Sequence, residues 1–179
     1  MRRVSFVHLL VLFCSLMPMP ASAQSFEQIP GKLASISLGG TSHGAVNVWG
    51  ITSNNYLYEF NGLAFQNIPG TFTQVAVDGN AIFVIDTNQN VFELDPDAAA
   101  FVQVPGKLTQ VAAHGGAAWG IDANQNVFIF DGQIFIQVPG KLSQIAVDGG
   151  SVWGISASHN VYVFDDAQLK FVQVPGTLT

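Results

Sequence analysis

Three tryptophans recur along the chain, and each is followed by glycine. They are Trp49, Trp119 and Trp153. An indole is a rigid ring with an apolar body and one polar N–H group, so it can stack on the apolar face of a sugar. The adjoining glycines and apolar residues favour another role, which is packing inside the fold. The sequence leaves both roles open, and an indole at the edge of a groove would satisfy both.

Asparagines recur in the short polar segments between apolar runs. Their amides both donate and accept hydrogen bonds, which suits the hydroxyl groups of a sugar. The alternative is ordinary turn chemistry, because Asn and Asp tolerate a left-handed backbone and hydrogen-bond to their own turns. The asparagines of these segments are Asn54, Asn55, Asn88, Asn90, Asn124, Asn126 and Asn160. We take one per segment as ligand-binding candidates: Asn55, Asn90, Asn126 and Asn160.

Two of these segments, which begin at Asp86 and Asp122, resemble the start of a calcium loop. Both have the spacing D-x-N-x-N. Such a loop needs glycine at its sixth position and a bidentate glutamate at its twelfth. Valine occupies the sixth position of both segments, and neither has glutamate at the twelfth. We therefore predict structural turns, with no bound metal ion and no other cofactor.

Two further slots carry charged residues in successive copies of the pattern. Asp78, His114 and Asp148 follow equivalent apolar runs. If the blades close, we expect these three residues to line one rim at different angles, and because His114 lies one copy away from each aspartate we expect no shared metal.

Lysines follow three of the five Pro-Gly pairs, at Lys32, Lys107 and Lys141, whereas Thr71 and Thr177 follow the other two. A row of lysines could bind an anionic lipopolysaccharide. More commonly, edge lysines are solvated and prevent unwanted strand pairing.

Catalytic motifs are missing from the sequence. It contains no G-x-S-x-G, no H-E-x-x-H and no nucleotide-binding glycine loop. We therefore assign no catalytic residue and expect a protein that is not an enzyme.

Residues 1–23 have the pattern of a secretory signal peptide. Two arginines precede an apolar run from Val4 to Leu16, and "ASA" ends at Ala23. The run is too short to span a bilayer core of about 30 Å. We predict cleavage after residue 23, so that the mature chain, 24–179, is secreted or periplasmic.

The predicted mature chain is acidic and has no cysteine, because Cys14 lies in the leader. Four lysines stand against twelve acidic residues, which gives a net charge of −8. Nucleic-acid binding requires a basic surface that neutralises phosphates. We therefore exclude nucleic acid as a partner.

Pro-Gly pairs divide the chain into repeats. They begin at Pro30, Pro69, Pro105, Pro139 and Pro175, with spacings of 39, 36, 34 and 36 residues. A period of this size predicts a repeat architecture. We place the repeats at about 31–69, 70–105, 106–139 and 140–175.

The residue pattern of each repeat predicts four short strands. In the last copy these are "LSQIAV", "SVWGI", "NVYVF" and "KFVQV". The polar segment between the second and third strands predicts a hairpin. Proline donates no hydrogen bond to a sheet, so we expect each Pro-Gly pair to end the fourth strand. One repeat buries too little apolar surface to fold alone, and neighbours must cover both faces. We predict an all-β fold, a β-propeller of four-stranded antiparallel blades.

The pattern "VPGKL..I.V..G..VWGI.....VYVF" resembles the tectonin repeat of tachylectin-like and fish-egg lectins. The second copy departs from it, with Phe83-Val84 in place of Trp-Gly. The resemblance implies a β-propeller, commonly with six blades, that binds glycans on microbial or cell surfaces.

The number of blades departs from that family. The sequence has four copies of the first three strands and five copies of the fourth. Three explanations remain open: the chain is a truncated product of a longer gene, it forms a small or open ring, or it forms an arc that a second chain of the same kind completes.

Together these observations predict a secreted, carbohydrate-binding propeller with repeated weak sites at the blade edges. Its expected partners are glycans or lipopolysaccharide-like surface sugars. The alternative is a protein-interaction scaffold at the cell surface that binds no sugar.

Overall fold

The computed structural model describes residues 28–40, 46–79 and 81–175, and every regular element in these ranges is a β-strand. The predicted leader lies outside the described residues. No helix in the described part of the chain is long and apolar enough to cross a membrane. The strands are β1 Ser35–Gly40, β2 Val46–Ile51, β3 Tyr56–Phe60, β4 Phe65–Asp78, β5 Ala81–Asp86, β6 Asn90–Asp95, β7 Ala100–Lys107, β8 Gln110–His114, β9 Ala117–Ile121, β10 Asn126–Phe130, β11 Phe135–Lys141, β12 Gln144–Asp148, β13 Ser151–Ile155, β14 Val161–Asp165 and β15 Lys170–Gln173.

The strands form four antiparallel blades in chain order. Blade 1 contains β1, β2, β3 and the first half of β4, which pairs with β3. Blade 2 begins with the second half of β4, which pairs with β5, and continues through β6 and β7. Blades 3 and 4 are β8–β11 and β12–β15. The prediction of an all-β fold built from four-stranded antiparallel blades is confirmed.

The blades radiate from a common axis. Their first strands lie innermost and contact one another in the order β1, β4, β8 and β12. Among the described strands, no comparable contact joins β12 back to β1. The four blades therefore form an open arc.

The Pro-Gly pairs do not end the outer strands of the first three blades, contrary to expectation. Strands β4, β7 and β11 run through these pairs. Proline is tolerated there because an outermost strand has no further strand beside it, so no hydrogen bond is lost by the absence of its N–H group. Each glycine takes a positive φ, such as 123° at Gly70, and the pairing register shifts beside each pair.

The hydrophobic core lies between successive blades as three clusters. In each cluster, an aromatic ring on the second strand of one blade packs against phenylalanines of the next blade. The ring centroids are 6.1 Å apart for Trp49 and Phe101, 5.2 Å for Phe83 and Phe130, and 4.7 Å for Trp119 and Phe164. Phe83 therefore performs in the second repeat the packing role that tryptophan has elsewhere.

The glycine after each tryptophan leaves room for a leucine from the start of the same blade. A Cβ atom at Gly120 would overlap the Leu108 side chain. Leu108 is buried and belongs to the core between blades 2 and 3. The same contact recurs as Gly50 with Leu33 and Gly154 with Leu142.

Glutamine side chains join the innermost strands of successive blades. Val111 N–H donates to Gln74 Oε1 at 2.7 Å, and Gln74 Nε2 donates to the Val111 carbonyl at 3.1 Å. Gln110 makes the same two hydrogen bonds with Ile145, at 3.0 and 3.1 Å. Each amide thus satisfies one main-chain donor and one acceptor on the next blade.

Candidate ligand-binding grooves between the blades

The connections between strands fall on two rims, because strand direction alternates within each blade. The upper rim carries the turns 52–55, 86–89, 122–125 and 156–159, together with the Pro-Gly connectors. The lower rim carries the turns after the innermost strands and those before the outermost strands. The predicted hairpin asparagines all lie on or next to the upper rim.

An aspartate organises the upper turn of blade 2. Asp86 Oδ1 accepts the N–H groups of Asn88 and Asn90, both at 2.8 Å, and Asp86 Oδ2 accepts Asn90 Nδ2 at 2.8 Å. Burial opposes ionisation of Asp86. The hydrogen bonds from Asn90 and Asn88, with the charge of Lys107, outweigh burial and lower the pKa of the carboxyl group below its ordinary value. Asp122 makes the same three hydrogen bonds in blade 3.

Two of the lysines after Pro-Gly bind the upper turn of their own blade. Lys107 Nζ donates to the Asn88 carbonyl at 2.8 Å and to Asn90 Oδ1 at 3.3 Å. Lys141 Nζ makes the equivalent bonds to Asn124 and Asn126 at 2.8 and 2.9 Å. These ammonium groups hold connector and turn together, so Lys107 and Lys141 act within the fold and do not form part of an open anion-binding row.

The predicted hairpin asparagines are not equivalent in the structure. Asn90 and Asn126 have both ends of their amides engaged, with the lysine and the aspartate of the turn. Tyr56, and not Asn55, matches them in register, because it pairs with the connector residue Thr71. Asn55 takes the left-handed position of its turn, with φ of 65°. Asn160 donates to Ser158 Oγ at 3.2 Å.

Other asparagines present freer amides on this rim. The exposed residues that hold equivalent positions in the first three turns are Asn54, Asn88 and Asn124. A ligand role for Asn55, Asn90, Asn126 and Asn160 stays a prediction, and the geometry gives Asn88 and its equivalents the more accessible amides.

The three tryptophans differ in accessibility. Trp49 and Trp119 are 2% and 3% exposed, so neither indole has a face open to a ligand in this structure. Trp49 Nε1 is buried, and none of the described residues accepts a hydrogen bond from it. Trp153, on the last blade, is 44% exposed. The structure therefore does not bring three equivalent indoles to one surface.

A groove of about 500 Å³ lies where the first two blades meet, beside the upper turn of blade 2. Its lining includes three aromatic rings, the half-buried Phe92 and Phe101 and the buried Phe72, together with the exposed Thr87 and Asn88. The rings form one cluster, since the Phe72 centroid lies 6.4 Å from Phe92 and 5.7 Å from Phe101. The groove therefore combines aromatic and polar lining residues.

The same groove recurs at blade 1 with equivalent residues and a volume of about 190 Å³. There Leu33, Tyr58 and Phe65 replace the three phenylalanines, and Thr52 replaces Asp86. Sequence reasoning missed these aromatic residues because their apolar character made them core candidates. Their recurrence beside the turn and the Pro-Gly pair was the signal that could have identified them.

A second kind of groove, of about 360 Å³, lies between blades 2 and 3 and is acidic. Glu93, Asp95, Gln103 and Phe130 are among its lining residues. Burial, and then the neighbouring charge of Asp95, raise the pKa of Glu93 above its ordinary value. This groove would favour a cationic or neutral ligand over an anion.

A histidine lies between two aspartates at the lower rim, near the axis. His114 Nδ1 is 3.8 Å from Asp78 Oδ1 and 3.4 Å from Asp148 Oδ1. The three residues lie on one rim, and they come this close because the innermost strands of adjacent blades lie side by side. No group of three or more His, Cys, Asp or Glu residues in the described ranges is arranged to hold a metal ion.

Radial four-stranded blades with grooves between them define the molecule as a β-propeller. Similar solved structures include human WBSCR16, with a TM-score of 0.65 and 11% identity, over 86% of this chain and 55% of that one. Prp20p of Saccharomyces cerevisiae gives 0.62 and 11%, over 80% and 50%, and YCF48 of Cyanidioschyzon merolae gives 0.62 and 12%, over 86% and 60%. The chain therefore spans about half the length of these structures. At such identities the likeness shows the fold alone.

The sequence matches the tectonin domain over residues 40–179. The chain therefore belongs to the tectonin domain family, and the resemblance drawn from the repeat is confirmed. No curated protein matches the chain at a significant level.

Proposed function

We propose that the chain is a carbohydrate-binding β-propeller whose upper-rim grooves each bind a glycan weakly. The observation that carries the proposal is the recurrence of one groove, lined by aromatic rings and polar side chains, at blades 1 and 2. Aromatic faces suit the C–H faces of sugars, and amides and hydroxyls suit their hydroxyl groups. Membership of the tectonin family supports the same assignment.

Repetition would compensate for weak individual sites. Several sites on one rigid frame raise the overall affinity for a dense ligand surface by roughly 10²–10⁴. Lipopolysaccharide-like surface sugars present such a density. Lys107 and Lys141 already hydrogen-bond to the turns of the fold. We therefore propose that the grooves contact neutral sugar units of these ligands and not their phosphate groups. We further propose that the protein acts by binding, not catalysis, and outside the cytoplasm after cleavage of residues 1–23.

A glycan array tests the proposal, with the unaltered chain compared with a Thr87→Ala/Asn88→Ala variant. We expect the variant to lose about tenfold or more in binding at low ligand density, because one of the repeated sites is gone. The matched control is Gln137→Ala, an exposed amide on β11 away from the upper grooves, which should bind as the unaltered chain does. If the unaltered chain retains no glycan even at high ligand density, the proposal is wrong.

A protein-interaction scaffold is the second candidate, and the structural neighbours favour it. Prp20p is described with binding properties toward Gsp1p and histones, Kap60 is bound to the same yeast propeller, and YCF48 is bound to a D1 peptide. The acidic groove around Glu93 would suit a basic peptide segment. Capture from cell-envelope extracts, with and without competing sugars, separates the candidates. Capture of one protein that sugars do not compete away would favour the scaffold.

A further inference from the structure

The two ends of the arc expose residues that the interior blades bury. Trp153 in blade 4 is 44% exposed, whereas its counterparts Trp49 and Trp119 are no more than 3% exposed. Ile36 in blade 1 is 60% exposed, whereas its counterparts are at most 8% exposed. Those counterparts are Val75, Val111 and Ile145. Each end therefore presents one half of the contact that joins neighbouring blades.

The two halves are complementary in their aromatic rings. At the junction of blades 3 and 4, Trp119 packs against Phe164 and Phe171, at 4.7 and 6.0 Å between centroids. Blade 4 presents the next ring of this series, Trp153. Blade 1 presents the matching pair, Phe60 and Phe65, whose centroids are 5.2 Å apart.

An apolar depression lies beside that pair on the free face of blade 1. It has a volume of about 360 Å³, and Ile36, Val48, Phe60 and Phe65 are among its lining residues. In blade 4, the counterparts of Ile36 and Val48 are Ile145 and Val152, both buried in the cluster that contains Trp119. The depression is thus the surface that receives an aromatic ring, Trp or Phe83, wherever a preceding blade is present.

The main-chain hydrogen bonding is complementary as well. Gln144 follows Gln74 and Gln110 in the series of linking glutamines, but it is exposed, and no described residue hydrogen-bonds to its side chain. Ile36 pairs with Gly50 in the register in which Val111 pairs with Gly120. Since pairs of this kind leave their N–H and C=O groups pointing outward, Ile36 offers the groups that Gln74 binds on Val111.

We propose that blade 4 of one copy docks on blade 1 of a second copy. Trp153 would pack against Phe60 and Phe65, and the Gln144 amide would bind the N–H and C=O of Ile36. A second copy is the occupant because one chain carries both halves of the contact, so every copy offers a complement to the next. The arc spans about half the length of the propellers it matches, which favours closure of one ring by two copies.

Sedimentation equilibrium of the purified chain across a concentration series tests the assembly. We expect the mass of two copies, and about thirtyfold weaker association for Trp153→Ser and for Gln144→Glu, since both residues would be central to the contact. Gln144 is exposed, so its variant should fold normally, which circular dichroism checks. The matched control is Ile136→Ser in blade 3, where the isoleucine is 47% exposed. A monomer at every concentration, or a dimer that neither variant weakens, would overturn the proposal.

Cross-linking tests the direction of the contact. Chains with Gln144→Cys are mixed with chains that carry Ile36→Cys, both with Cys14→Ser, and treated with a short bismaleimide. Head-to-tail docking predicts a covalent dimer in the mixture and none from either chain alone. A dimer from one variant alone would indicate a symmetric contact and would contradict the proposed geometry, as would no product in the mixture.

Discussion

At the scale of single residues, the glycine of the Trp-Gly motif is a packing requirement. The Leu108 side chain occupies the space that a Cβ at Gly120 would need. We predict that Gly120→Ala lowers the free energy of unfolding by roughly 1–3 kcal/mol, because a buried leucine must move. Urea unfolding measures this change. Gly40→Ala is the control, since no described residue lies within 4 Å of the added atom apart from its chain neighbours; an equal loss there would remove the steric explanation.

Asp86, in the upper turn of blade 2, should make the free energy of unfolding depend on pH in the acid range. The pKa of Asp86 is lowered in the folded chain from 3.8, so its ionised form stabilises the fold above that pH. This contribution is lost as the pH falls through the folded pKa. We predict that Asp86→Asn makes stability less sensitive to pH below about 3.8, as measured by urea unfolding at several pH values. Asp97→Asn, in an exposed lower turn, should keep the original dependence.

Glu93 should have the opposite effect on pH dependence. Burial and Asp95 raise its pKa above 4.5, so the stability that its neutral form gives is present below that pH and is lost as the pH rises through the folded pKa. We predict that Glu93→Gln raises the melting temperature at pH 7 and has little effect near pH 4. Glu59→Gln, at the equivalent register position in blade 1, provides the comparison. A gain at pH 4 equal to that at pH 7 would contradict the electrostatic cause.

At the scale of elements, the glutamine links couple blade 2 to blade 3 and blade 3 to blade 4. Removing the Gln110 amide leaves the main-chain N–H and C=O of the buried Ile145 without their partners. We predict that Gln110→Ala costs roughly 1–3 kcal/mol, the cost of main-chain groups left unsatisfied. Denaturant unfolding of this variant and of the control Gln137→Ala, which removes an exposed amide on an outer strand, measures the difference in stability. Equal stability of the two variants would show that solvent replaces the link.

At the scale of the whole molecule, protection should be highest in the middle of the arc. Blades 2 and 3 are covered on both faces, whereas blades 1 and 4 each have one uncovered face in a single copy. In a repeat protein, stability is close to a sum over neighbour contacts. We predict that amide hydrogen exchange in dilute solution is slowest in β5–β10 and faster in β1, β2 and β13–β15. Uniform protection across the described strands would contradict an open arc.

Much of the candidate site was visible in the sequence as chemistry but not as geometry. The recurring Asp-x-Asn-x-Asn segments predicted turns, and the structure shows Asp86 and Asp122 binding the turn amides. The pattern did not show that Lys107 would hydrogen-bond to the Asn90 side chain, because the two residues lie seventeen positions apart in the sequence. Nor did it show which aromatic rings would line a groove, since a buried and a half-exposed phenylalanine have the same local pattern.

The sequence by itself determined the repeat, the four-stranded unit, the hairpin turns and the need for neighbouring blades. These follow from local periodicity and turn chemistry, which act over a few residues. Only the tertiary structure decided which surfaces stay open, because exposure depends on what the adjacent blade covers. Trp119 and Trp153 have nearly the same sequence neighbours, yet one is buried and the other exposed. The physical reason is that the apolar face of one blade is buried only by the neighbouring blade. The position of a blade in the arc determines whether it has a neighbour on that face.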